Sequence, residues 1–178
     1  MKKARETAFT GLMLAIMLAL TFVEHSLPPL PLLPPGIRLG LANIAPMYCV
    51  FFGGRTRAVA LNALKAGFVL LTRGGAAGLL SFCGGMLSVG VVILLVAFFG
   101  EKASYTSVSV AGACAHNAGQ FAAAWLLLRS PYFLAYLPML LLSGILMGCA
   151  TAALLRAALP ALGRLDIWST RPRNRRRE

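Results

Sequence analysis

Long apolar runs make up most of the chain, and short polar breaks divide them. Six segments follow from this pattern, at residues 7–26, 39–53, 58–72, 77–100, 105–128 and 132–159. A helix that crosses a bilayer needs roughly 17–25 predominantly apolar residues. The second and third segments are short by that measure and would have to tilt, borrow loop residues or be shielded by neighbours. Gly54-Arg55-Thr56-Arg57 separates these two as a charged break. The pattern predicts an all-α integral membrane bundle of six transmembrane helices. A single membrane domain covers residues 1–160, and residues 161–178 form a basic tail.

Composition agrees. The chain has 178 residues, 58% of them hydrophobic and 12% charged, and its mean hydropathy is +0.77. Soluble domains carry roughly 25% charged residues. The net charge of +12 would suit nucleic acid if the basic residues formed one face. Instead they sit at the termini and in short breaks between apolar runs, as membrane topology requires. Nucleic acid is therefore excluded as a partner, and the lipid bilayer takes its place. Lys2, Lys3, Arg5, Arg55, Arg57, Lys102 and the arginines from Arg156 onward fall on one side, against Arg38, Arg73 and Arg129 on the other. The positive-inside rule then makes both termini cytoplasmic. The apolar stretch after the N-terminal charges ends in Glu24-His25-Ser26 and prolines rather than in a small-x-small cleavage site, so it reads as a retained first span. The expected location is a bacterial cytoplasmic membrane, crossed several times. The tail from Arg171 to Arg177 could touch anionic headgroups, or simply be an unstructured topogenic run.

Polar groups at membrane depth are costly and mark functional sites by default. His116 and Gln120 are four residues apart on one helical face, with Asn117 beside them. Asn62 and Lys65 are one turn apart in the third segment. Glu24 closes the first segment, and Arg38 and Asn43 flank the start of the second. Depth along the segments puts Lys65 and His116 near mid-bilayer and Glu24, Arg38 and Arg73 near an outer mouth. Arg38, Lys65, Arg73 and, if protonated, His116 face one carboxylate. This predicts a pocket for a small polar or anionic ligand, built from Glu24, Arg38, Asn43, Asn62, Lys65, His116, Asn117 and Gln120. The competing reading is an internal polar network, such as Glu24–Lys65, that fixes helix packing.

Three other features complete the pattern. Residues 27–36 carry five prolines, which predicts a stiff external loop, either a lid or a connector. Gly11, Ala15 and Ala19 form a small-residue ladder along one face. It is either a docking face for a partner helix or a packing seam within the bundle. Cys49, Cys83, Cys114 and Cys149 lie in apolar runs without metal-ligand spacing, which predicts small packing residues. No catalytic motif and no cofactor site is legible.

The run Glu24…Pro28-Pro29…Pro35-Gly36-Ile37-Arg38-Leu39-Gly40-Leu41-Ala42-Asn43, with Ser81…Gly84-Gly85 and His116-Asn117-Ala118-Gly119-Gln120, resembles the Gx transporter family. The same family is labelled heptaprenyl diphosphate synthase component I. A looser similarity, in the six spans, the stiff first loop and Ala15-Ile16-Met17-Leu18-Ala19, is to the S components of energy-coupling-factor importers. That similarity implies substrate capture with a transmembrane coupling protein and ATPase subunits as partners. The synthase label implies a soluble prenyl synthase subunit as partner. Polyprenyl synthases hold diphosphate through Mg²⁺ on aspartate-rich motifs. Asp166 is the one aspartate here and lies beyond the last span, so this chain would be a non-catalytic accessory. The reading that follows is an importer's substrate-binding component, with the accessory subunit as the alternative.

Overall fold

The computed structural model describes residues 2–26, 40–129, 135 and 137–164. Among them every regular element is helical. They are α1 (Lys2–Ser26), α2 (Leu41–Gly53), α3 (Arg55–Arg73), α4 (Gly75–Phe99), α5 (Tyr105–Leu128) and α6 (Leu137–Arg164). Arg38 and the proline-rich loop lie outside the described residues.

Helix α1 buries Phe9, Met13, Met17, Thr21 and Glu24, a spacing of three or four that keeps them on one face. Its other face turns outward, with Gly11, Ala15 and Ala19 exposed beside Leu12 and Ile16. Among the described residues the ladder is thus left uncovered, and a Cβ added at Gly11 would meet nothing within 4 Å. Helix α2 is composite: a 3₁₀ turn over Leu41–Asn43, an α turn over Ile44–Tyr48 and a π turn over Cys49–Gly53. Its first N–H, on Leu41, donates to the Glu24 carboxylate, so α1 supplies the cap that an exposed helix start lacks.

The break between α2 and α3 is narrower than the charged tetrapeptide predicts. Gly54 alone makes it, at φ 106°, a left-handed backbone that side chains disfavour. Arg55 and Arg57 are already helical. Arg57 donates to the Gly53 carbonyl at 2.5 Å and pairs with Glu6 of α1 at 2.7 Å. Gly74, at φ 87°, joins α3 to α4 in the same way.

Close approaches fix the order of the remaining helices. Gly78 faces Leu70 and Gly85 faces Asn62, so α3 and α4 run antiparallel. Gly84 and Gly119 face each other across α4 and α5, as do Val92 and Gly112. Gly144 meets Cys114 and Gly148 meets Val110 across α5 and α6. These four helices form a continuous antiparallel wall, with α1 and α2 packed against α3. The starts of α1, α3 and α5 and the ends of α2, α4 and α6 thus share one end of the bundle. Arg57, Lys102 and Arg156 all lie there, and Arg156 donates to Thr106 at 2.9 Å.

Among the described residues three helices are long and apolar enough to cross a membrane, Glu6–Glu24, Gly75–Phe99 and Leu137–Pro160, and Leu41–Gly53 is a shorter apolar helix. Helices α3 and α5 match in length, at 19 and 24 residues, but polar residues lower their hydropathy. Helix α6 continues through Pro160 to Arg164, past the boundary at 160 that the sequence suggests. The cysteines divide: Cys49 is buried, Cys83 and Cys114 are half-buried, and Cys149 is exposed rather than a packing residue.

Candidate functional site

The polar positions of α3 and α5 converge because each lies on a single helical stripe. Along α3, Asn62, Lys65, Val69 and Arg73 recur every three or four residues. Along α5, Ala113, His116 and Gln120 do the same. From Lys65 onward on α3, and along α5, these stripes face inward onto a cavity of about 260 Å³, to which α1 adds Thr21 and Glu24, α4 adds Ser81, and α6 adds Met147 and Thr151.

Glycines let these stripes approach. A Cβ at Gly84 would lie 2.6 Å from Gln120 Cγ and 2.8 Å from the His116 carbonyl oxygen. One at Gly119 would lie 2.7 Å from the Cys83 carbonyl oxygen. Gly85 leaves room for the Asn62 amide in the same way. The adjacent pair Gly84-Gly85 therefore serves two neighbours, α5 through one residue and α3 through the other.

Within the cavity the expected residues hold different positions. Lys65 Nζ donates to Asn43 Oδ1 at 3.0 Å, joining α3 to the first turn of α2. Glu24 is 9% exposed, lines the cavity and also caps α2. Lys65 is buried too. A charged pair of walls, Glu24 on α1 against Lys65 and Arg73 on α3, thus frames the space. His116 Nδ1 is buried and has no hydrogen-bond partner among the described residues. Gln120 lines the same wall. Asn117 borders the cavity, but its Nδ2 donates to the Leu140 carbonyl at 2.7 Å and to Ser143 Oγ at 3.2 Å. Its amide nitrogen therefore ties α5 to α6. Asn62 stands apart from the main cavity and lines a smaller void below it.

Thr21, Ser81 and Thr151 join the wall although the polar pattern does not single them out as ligands. A signal exists for two of them. Thr21 is one turn before Glu24, and Ser81 stands just ahead of the Gly84-Gly85 pair. Among the described residues no group of three His, Cys, Asp or Glu side chains could hold a metal ion. What the cavity offers is a set of hydrogen-bonding and charged groups around a small volume, suited to holding a polar molecule.

The family described as heptaprenyl diphosphate synthase component I matches residues 13–158. No curated protein and no solved structure matches the chain. The similarity to importer S components rests on the sequence motifs alone. The family match spans every helix that lines the cavity, from the middle of α1 to near the end of α6, and on that extent the chain belongs to the heptaprenyl diphosphate synthase component I family.

Proposed function

We propose that this protein spans the bacterial cytoplasmic membrane six times, with both termini inside, and captures a small polar or anionic metabolite from outside. The observation that carries this reading is the cavity where Glu24, Lys65, Arg73, His116 and Gln120 converge from three helices. Its volume of about 260 Å³ suits a small metabolite, since drug-sized ligands occupy roughly 300–1,000 Å³. Helices α3 and α5 cross the membrane despite their lower hydropathy, because their polar stripes face this cavity rather than lipid. Cationic residues gather at the bundle end that carries Arg57, Lys102 and Arg156, which favours that end as cytoplasmic.

The chain has no nucleotide-binding motif, so any ATP use in passage inward comes from partners. A transmembrane coupling protein with ATPase subunits fills that role in the importers that the motifs resemble. The exposed face of Gly11, Ala15 and Ala19 is available to such a partner. The binding cavity itself takes Glu24, Asn43, Lys65, His116 and Gln120.

Binding to the purified protein tests the capture. Ligands co-purifying from native membrane are identified by mass spectrometry, then titrated against Lys65→Met and His116→Ala. Loss of a hydrogen bond to a charged group removes roughly 1.5–3 kcal/mol, so Lys65→Met weakens binding by about ten- to a hundred-fold. Unchanged affinity in both variants rules the cavity out as the binding site.

The family's description favours a second reading, a membrane accessory subunit of a prenyl diphosphate synthase. Glu24 is the one carboxylate lining the cavity among the described residues, so a diphosphate held through Mg²⁺ would need oxygen ligands from elsewhere. Affinity purification separates the two. Recovery of a soluble synthase alone, with solute uptake intact in a deletion strain, favours the accessory subunit and overturns the importer.

A further inference from the structure

A second void lies below the cavity, between α2 and the wall of α3 to α6. Its volume is about 30 Å³, and it shares Asn43, Ala113 and Thr151 with the space above. Asn62 reaches it from α3, Ser88 from α4, Ser109 from α5 and Thr151 from α6. Asn62 is 2% exposed, and its Nδ2 has no hydrogen-bond partner among the described residues. Its amide is held against Gly85, where no larger residue would fit.

Folded proteins pair nearly all of their buried polar groups, with protein or with ordered water. A water needs roughly 10–15 Å³ and two to four polar partners, and this void provides both. The chemistry also selects the occupant. The two ends of an amide group are interchangeable in orientation. A cation would serve only Oδ1 and an anion only Nδ2, whereas water donates and accepts and so serves either. Serine and threonine hydroxyls have the same double character.

We propose that this void is a hydration site. Ordered water there joins the Asn62 amide to the hydroxyls of Ser88, Ser109 and Thr151 and makes the polar floor of the cavity. Asn43 and Thr151 belong to both walls, so a molecule in the cavity meets that floor. Asn62 acts through the water rather than on the ligand. The proposal stands without any assumption about what the cavity binds.

A structure of the protein in lipid, at a resolution that shows ordered water and from crystals soaked in bromide, tests it directly. Density within hydrogen-bonding distance of the Asn62 amide and of at least one of the three hydroxyls is expected, with no bromide anomalous signal. Absence of density there, or a bromide peak, overturns the proposal. A thermal double-mutant cycle between Asn62→Leu and Thr151→Val gives a second readout. Both variants lose the same water, so the Tm loss of the double variant is smaller than the sum of the single losses. Strictly additive shifts overturn the shared site. Ser109→Ala replaces Asn62→Leu in the cycle if the latter does not fold.

Discussion

At the end of the bundle where α2 meets α3, aromatic rings close the interior. Phe9 and Tyr48 lie 5.9 Å apart, Tyr48 and Phe52 5.0 Å, and Phe51 meets Tyr105 edge-on at 4.8 Å. Met13, Met17, Val92, Val108 and Leu155 fill the space beside them. Toward the other end the same six helices surround Glu24, Lys65, His116 and Gln120. The interior of one end is filled by apolar volume, and that of the other is lined by polar side chains brought close at Gly84, Gly85 and Gly119. Helix packing within lipid draws on close van der Waals fit and hydrogen bonds more than on water exclusion. The contrast therefore implies that stability and binding are separable: damage to the ring cluster should unfold the protein, and damage to the cavity wall should change what it holds.

Phe9→Ala is the most severe test of that division. Phe9 is buried in the cluster against Tyr48, and removing such a side chain costs roughly 3–5 kcal/mol. Thermal unfolding in detergent should show a large fall in Tm, while the fraction that remains folded keeps its affinity for the ligand. A fall in affinity as large as that of Lys65→Met would show that the ring cluster also shapes the cavity, and the two ends would then be one unit.

Gly119→Ala comes next, because it strikes the seam from which the cavity is hung. Its Cβ would sit 2.7 Å from the Cys83 carbonyl oxygen and 2.9 Å from Gly84 Cα, backbone atoms that no rotamer change can move. Overpacking of this kind costs roughly 1–3 kcal/mol. Widening the α4–α5 spacing also moves His116 and Gln120 away from Gly84. Both Tm and affinity should fall, which isothermal titration on the folded fraction can check. Loss of Tm with unaltered affinity would place the recognition groups on α1 and α3 alone.

How much of this contrast is legible in the sequence follows from geometry. Residues that share a helical face can be grouped by counting, and His116, Gln120 and Lys65 do meet at one cavity. Counting fails where a neighbour in space decides the role. Asn117 stands next to His116 in sequence, yet its amide nitrogen points to the Leu140 carbonyl and Ser143, because adjacent helical positions diverge by about 100°. Glu24 is legible as an isolated carboxylate but not as the cap of α2, since the partner N–H belongs to a chain segment 17 residues away. The outward turn of Gly11, Ala15 and Ala19 depends on which stripe of α1 the bundle selects. Phe9, Met13 and Met17 take the buried side, and small residues alone do not reveal that choice. The π turn at Cys49–Gly53 leaves no mark in hydropathy at all. Likewise, the charges of Arg55 and Arg57 suggest a loop, but Gly54 takes the whole turn, and both arginines enter α3.

The smallest expected effect concerns the tie between α1 and α3. Glu6 and Arg57 pair at 2.7 Å, with side chains 43% and 28% exposed. Pairs in contact with water contribute roughly 0.2–1 kcal/mol and weaken with salt. Glu6→Gln removes the charge, while Arg57 keeps its bond to the Gly53 carbonyl. The expected result is a Tm lower by about 0.5–4 °C for a chain of this size, with the difference from wild type shrinking as ionic strength rises. Affinity should not change, because the pair lies at the ring-cluster end, more than two helical turns from Lys65 along α3. A salt-independent loss of several times this size would mean that the pair acts as a latch on the placement of α1. Because α1 carries Glu24 into the cavity, the binding constant would then move with it, and the pair would belong to the binding end of the molecule in effect if not in position.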